Sequence, residues 1–220
     1  MTRPAQHVTV PSPFDYGQQT RVLVVGDVNR NSADQVAAAY RELFTASGGG
    51  ALGLFTAINR LRAVHQHIAG PLEDLDIPLY AQHVDPLDTG TLIDIFRAEE
   101  NACLLGTDAV RDGVDVPGRS LRLIVFDRVP WPRPDILHKA RRNAFGGRDY
   151  DEALTRLKLK QAFGRLIRRA GDRGVFVMLD RALPTRLAAA FPADVEIQRL
   201  GLSEAVTQVR AFLSEPAEED

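Results

Sequence analysis

The sequence predicts one α/β domain, a parallel sheet with helices on both faces. Three observations carry that expectation. Short unbroken apolar runs recur along the chain with helix-like stretches between them, which is how strands buried on both faces of a parallel sheet read. The 220 residues show no internal repeat and no obvious linker, and one domain of this length buries roughly 70% of the surface its unfolded chain exposes. Hydrophobic residues make up 45% and charged residues 25%, a globular balance that excludes a mainly disordered chain.

Residues 1–20 read as an irregular leading segment, broken by Pro4, Pro11, Pro13 and Gly17. Arg21–Val25 is a short β-branched strand. Ser32–Phe44 has helical spacing, with Ser32 or Asn31 as N-cap. A glycine loop at 47–50 leads into the strand Ala51–Phe55. Thr56 then caps a helix running to about Ile68, with Ile58, Leu61, Val64 and Ile68 on one stripe. Pro78–Gln82 reads as a strand and Thr89–Arg97 as a helix. Ala102–Leu105, Leu121–Phe126 and Gly174–Leu179 are three further buried strands. Helices over Pro134–Ala144 and Tyr150–Ala170 lie between the last two. The chain closes with Thr185–Ala190, a strand near Val195–Leu200 and a helix over Ser203–Leu213. The domain thus spans residues 21–214, followed by an acidic tail at 215–220.

Several function classes drop out. No apolar run is long enough to cross a bilayer, and Met1-Thr2-Arg3-Pro4 opens no signal peptide. The one cysteine, Cys103, lies in a hydrophobic strand and reads as an inert buried thiol. It forms no internal disulfide or multi-cysteine metal site. A cytoplasmic protein with no membrane partner is expected. The net charge is −2, yet Ile136–Arg173 carries eleven Lys/Arg against four acids, a balance of +7, which leaves −9 for the rest. A basic block in an acidic chain suits either a phosphate-bearing partner or a solvated helix face.

Most short motifs read as turns or helix ends. Gly48-Gly49-Gly50 precedes a strand and lacks the Lys-Ser/Thr of a phosphate loop. Gly26-Asp27 follows a strand without a Gly-x-Gly-x-x-Gly pattern. His65 and His67 point apart on a helix, with no metal-spaced partner. Asp151-Glu152 sits at a helix start, where acids suit the dipole.

Two segments stand out. In Gly106-Thr107-Asp108…Gly113-Val114-Asp115-Val116-Pro117-Gly118 a strand ends in a glycine-rich loop. Such loops at carboxyl strand ends form the ligand crevice of open α/β sheets. Gly106 and Gly113 permit close backbone approach, and Thr107 offers a hydroxyl and a helix-start amide to a phosphate. In Gln161-Ala162-Phe163-Gly164-Arg165-Leu166-Ile167-Arg168, helical spacing sets Gln161, Arg165 and Arg168 on one face. Leu159, Phe163, Leu166 and Ala170 take the opposite face. Two such arginines can grip phosphates and stabilise charge on a transferred phosphoryl group.

Together these segments resemble motifs V and VI of superfamily 2 helicases, in their DinG/XPD-like branch. Ser12-Pro13-Phe14-Asp15-Tyr16, Leu54-Phe55-Thr56 (similar to motif IV), Val129-Pro130-Trp131-Pro132-Arg133-Pro134 and Gly174–Arg181 extend the likeness from about Ser12 to Arg186. The resemblance implies a RecA-like, P-loop NTPase-type second motor lobe that lacks its own Walker A. It implies arginine fingers at Arg165 and Arg168 and an ATP cleft touched by Gln161, Gly113, Asp115 and Gly164, where Asp115 is near the ribose or orients an arginine. Thr56, Thr107 and Arg111 would contact a single DNA strand. ATP and Mg2+ would be held mainly by a first lobe absent here, and any iron–sulfur cluster would lie outside this chain. Two rival readings remain at this point: a non-hydrolysing nucleic-acid-binding or regulatory lobe, and an α/β protein with a small-molecule pocket.

Overall fold

The computed structural model describes residues 12–113, 115–116 and 118–214; the expected acidic tail at 215–220 lies outside them. Seven strands form one parallel sheet: β1 (Thr20–Val25), β2 (Ala51–Leu54), β3 (Leu79–Ala81), β4 (Cys103–Gly106), β5 (Leu123–Phe126), β6 (Gly174–Met178) and β7 (Ile197–Leu200). Their order across the sheet is β3-β4-β2-β5-β6-β1-β7. Successive strand residues point to opposite faces, so each strand feeds two cores. Leu23, Val25, Leu105, Val125 and Val177 face α2 (Ala33–Ser47), α3 (Ile58–Glu73) and α8 (Leu202–Ser214). Val22, Leu52, Leu104, Ile124 and Phe176 face α4 (Thr89–Ala98), α5 (Asp108–Gly113), α7 (Arg148–Phe163) and a 3-10 turn at Thr185–Ala190. The three layers agree with the expected architecture.

The leading segment is less irregular than expected. Asp15 caps a single turn, α1 (Tyr16–Gln19), and β1 starts directly at Thr20. Thr56 does not cap α3; that place falls to Ala57, with no side-chain bond. The helix also runs past Ile68 to Glu73 through Pro71, and Leu72 below it is fully buried. Tertiary burial there outweighs the one hydrogen bond that proline removes.

Two packing details fix the sheet's centre. Gly53 lies where a Cβ would come within 2.7 Å of Tyr40 and of Leu105, so only glycine lets α2 sit this close to β2. The Tyr40 hydroxyl donates to the Val125 carbonyl at 3.1 Å, and its ring stacks on Phe55 at 4.8 Å. At the amino-terminal edge, the buried Arg122 guanidinium donates to the carbonyls of Ser47, Gly48, Glu100 and Arg119 and to Asn101. It thereby ties down the glycine loop, whose three residues have φ of 63°, 84° and 58°.

Cys103 is fully buried, and burial pushes its thiol up to about 12. The thiolate is the reactive form. The folded chain therefore resists an aromatic disulfide reagent at mildly alkaline pH, whereas the denatured chain reacts at once. Rapid modification without denaturant, followed at the chromophore's absorbance, would contradict this burial.

Candidate functional site

Because every strand runs the same way, all carboxyl ends reach one edge of the sheet. Two buried carboxylates organise it. Asp127, immediately after β5, is fully buried; it accepts the Thr56 amide at 3.1 Å and Arg60 Nε at 2.5 Å. It thereby ties the end of β5 to the turn after β2. Burial raises its carboxyl above the ordinary value, and the Arg60 hydrogen bond and charge oppose that rise. Asp180, just after β6, accepts both oxygens' worth of contact from Arg30 Nη1 at 2.8 and 2.7 Å and also the amides of Ala182 and Val129.

The loop after β4 brings a tight turn and two changes of role. Gly106 is needed because a Cβ would meet Val110 at 2.5 Å, so α5 folds back directly onto the strand end. Thr107 directs both its amide and its hydroxyl at Gln82 Oε1, at 3.0 and 2.9 Å. Neither donor points outward as a phosphate ligand would need. Arg111, expected to touch nucleic acid, is only 4% exposed and lies between Asp108 and Asp112. A buried cation already paired with two carboxylates is structural, because stripping it of them would leave buried charge. Gly113 packs near Ile93, where a Cβ would lie 3.0 Å from that side chain.

The expected long helix over Tyr150–Ala170 ends early. α7 stops at Phe163, with Gly164 as its C-cap, and turns follow. The amide of Arg168, which a continuing helix would give to Gly164, goes to Asp172 Oδ2 at 2.8 Å, as does that of Arg169. A side-chain acceptor has replaced the helical ladder. Gln161, Arg165 and Arg168 therefore do not share one helix face, and Ala170 is exposed where burial was expected. Leu166 and Ile167 do insert into the core. The two arginines nevertheless converge through tertiary structure. Arg165 Nη2 donates to the Asp112 carbonyl at 3.2 Å, and Arg168 Nη2 lies 3.0 Å from Asp115 Oδ1. The α5 loop and the post-α7 turn thus form one unit, with Gly164 partly exposed and Gln161 exposed beside it.

A cavity of about 560 Å³ opens at the carboxyl ends of β2 and β4. Thr56 and Thr107 line it, as expected of neighbouring strand ends, together with residues the sequence did not place in a site: Trp131, Arg133, Arg141 and Lys158. Arg133 donates to the Thr56 carbonyl at 2.8 Å, and Lys158 pairs with Asp108 at 2.9 Å. The Arg141 side chain makes no hydrogen bond or ion pair among the described residues. Lys158 and Arg141 belong to the basic block, and Trp131-Pro132-Arg133 to the proline-rich turn. Only the fold brings these separate signals to the end of β2. Among the described residues, no group of three or more His, Cys, Asp or Glu side chains could hold a metal ion, and no helix is long and apolar enough to cross a membrane.

Comparison with known proteins matches residues 40–196 to the helicase C-terminal domain family. The chain is 35% identical to the ATP-dependent helicase DinG of Mycobacterium tuberculosis (strain H37Rv), over 99% of this chain and 34% of that protein. It is 34% identical to the ATP-dependent DNA helicase YoaA of Escherichia coli K12, over 83% of this chain and 30% of that protein. The chain thus spans about a third of the length of these relatives. Among solved structures, an XPD helicase superposes with a TM-score of 0.62 at 19% identity, over 82% of this chain and 35% of that one. The C-terminal domain of the DEAD-box protein Dbp5 superposes with a TM-score of 0.57 at 16% identity, over 90% of this chain and 99% of that one. These likenesses establish the RecA-like helicase fold.

Asp127→Ala leaves the Arg60 guanidinium largely buried and unpaired, a change that costs about 3 kcal/mol. Urea denaturation should show that loss. A raised folded pKa means the folded chain holds a proton that the unfolded chain has released. The contribution of Asp127 is therefore greatest at low pH and falls as pH rises through the interval above 3.8. Asp127→Asn should lack that slope in stability measured against pH.

Proposed function

The chain belongs to the helicase C-terminal domain family, and from that premise we propose that it is the second motor lobe of a DinG-type, ATP-dependent DNA helicase. In this reading ATP binds on a first lobe that supplies the phosphate cradle and the magnesium ligands. Arg165 and Arg168 reach the nucleotide from this side and stabilise charge developing on the transferred phosphoryl group. Gln161, Gly164, Gly113 and Asp115 line the same cleft.

The observation that carries the proposal is the convergence of Arg165 and Arg168 on Asp112 and Asp115. Arg168 is 36% and Asp115 67% exposed in their side chains. A pair this open to water is worth about 0–1 kcal/mol, so the guanidinium is readily exchanged from Asp115 onto a phosphate. Asp115 then acts as a parking partner that orients Arg168 before the lobes close. This chain lacks a Walker A sequence and, among its described residues, a metal-binding cluster, so alone it should not turn over ATP. Its one cysteine, buried in β4, suits no iron–sulfur cluster.

DNA contact is assigned to the strand-end cavity. The Thr56 hydroxyl, Arg141, Lys158 and Arg133 would hold the backbone of a single strand, with affinity that ignores sequence and weakens with salt. Thr107 would act through Gln82 and the shape of the turn.

In the complete two-lobe protein, Arg165→Ala should lower DNA-stimulated ATP turnover by about a thousandfold, in the range of arginine-finger losses. Affinity for single-stranded DNA without nucleotide should be unchanged. Equal ATPase rates for variant and parent would exclude the arginine-finger role.

A further inference from the structure

The strand-end cavity carries more chemistry than a phosphate track requires. Cations and hydroxyl or amide donors suffice for phosphates. Here the lining beside the basic residues is apolar and aromatic: Pro130, Trp131, Pro132, Leu137, Leu154 and Tyr150. Trp131 is 38% and Leu137 58% exposed, so a large apolar surface faces water beside a phosphate-type grip. Trp131 stands between two prolines, which restrict the backbone on either side of it. Tyr150, also in the lining, stacks on His138 with ring centroids 5.8 Å apart and planes 25° apart. His138 Nε2 is tied to Asp151 at 2.8 Å, and Arg142 holds the other oxygen of that carboxylate. The Tyr150–His138 pair and the Trp131 backbone are therefore fixed before any ligand arrives. The volume of about 560 Å³ falls within the roughly 300–1,000 Å³ typical of small-ligand sites.

We propose that this cavity takes one unstacked nucleobase of the bound strand, laid against Trp131, while Arg141, Lys158 and Thr56 hold the flanking phosphates. The inference rests on the DNA-contact reading above and adds a base-binding subsite to it. Stacking on a ring face is sequence-tolerant, because every base offers a π-face. The subsite therefore grips any base without selecting one, and each nucleotide passing the lobe enters and leaves the same slot.

Trp131 is the sole tryptophan of the chain, so its emission reports on this cavity alone. The full chain is titrated with a single-stranded oligothymidylate and with an abasic deoxyribose-phosphate oligomer of equal length. Oligothymidylate should quench the emission and bind about tenfold more tightly than the abasic strand, a difference in the range of one stacked base. Trp131→Ala should lose that tenfold advantage and keep its abasic affinity; Trp131→Phe should retain most of the advantage. Equal affinity for the two strands, with unchanged emission, would overturn the base site and leave the phosphate contacts standing. Failure of both strands to bind would overturn the base site and the DNA-contact reading together.

Discussion

The working edge of this lobe depends on a carboxylate with no access to water. Asp127 sits at the carboxyl end of the central strand β5 and bonds Thr56, the second residue after β2, and the first turn of α3. An ionised group in that position is tolerable only because Arg60 and a backbone amide surround it. Through that arrangement it fixes where the β2 turn ends, hence where Thr56 lies and which way the proline-rich turn leaves β5. Asp180 repeats the device one strand over, joining the end of β6 to Arg30 after β1 and to the Val129 amide. The carboxyl ends of β2, β5, β6 and β1 are therefore latched side by side, and the loops that follow inherit their positions from the latches.

Much of the fold was legible in the sequence because parallel strands buried on both faces leave a simple trace. All seven strands were anticipated within a residue or two at most ends, since unbroken apolar runs have few other uses in a chain of this composition. The elements that misled were those decided by distant partners. Gln161 to Ala170 has the spacing of a helix, but Asp172 draws the amides of Arg168 and Arg169 away from it. Thr107 has the composition of a phosphate ligand, but Gln82, twenty-five residues earlier, occupies its donors. Arg111 reads as a surface cation, while the fold buries it between its own neighbours Asp108 and Asp112. Local pattern names the residues near a site; which of their donors remain free is settled by tertiary contacts.

The basic block illustrates the same point for charge. As a sequence it is one stretch of excess lysine and arginine. Folded, it is divided between two places. Arg141 and Lys158 look into the strand-end cavity, whereas Arg165 and Arg168 meet the α5 loop. The break in the helix at Gly164 is what separates Lys158 from the two arginines. A continuous helix would have carried Lys158, Arg165 and Arg168 along one rod, whereas the turn sends the last two toward the loop after β4. The two groups remain mechanically linked, because α5, α7 and the post-α7 turn pack into one core.

The strand order has a consequence for how the chain acquires this shape. β1 forms early in the sequence, yet it pairs only with β6 and β7, near the other end. Both of its hydrogen-bonding edges must wait until almost all of the domain has emerged from the ribosome. Contacts of such sequence separation close slowly, and an apolar strand with two open edges is prone to pair with the wrong neighbour meanwhile. The run Val22–Val25 therefore needs shelter during synthesis, because α8, the helix packed against β1, also comes after all seven strands in the chain.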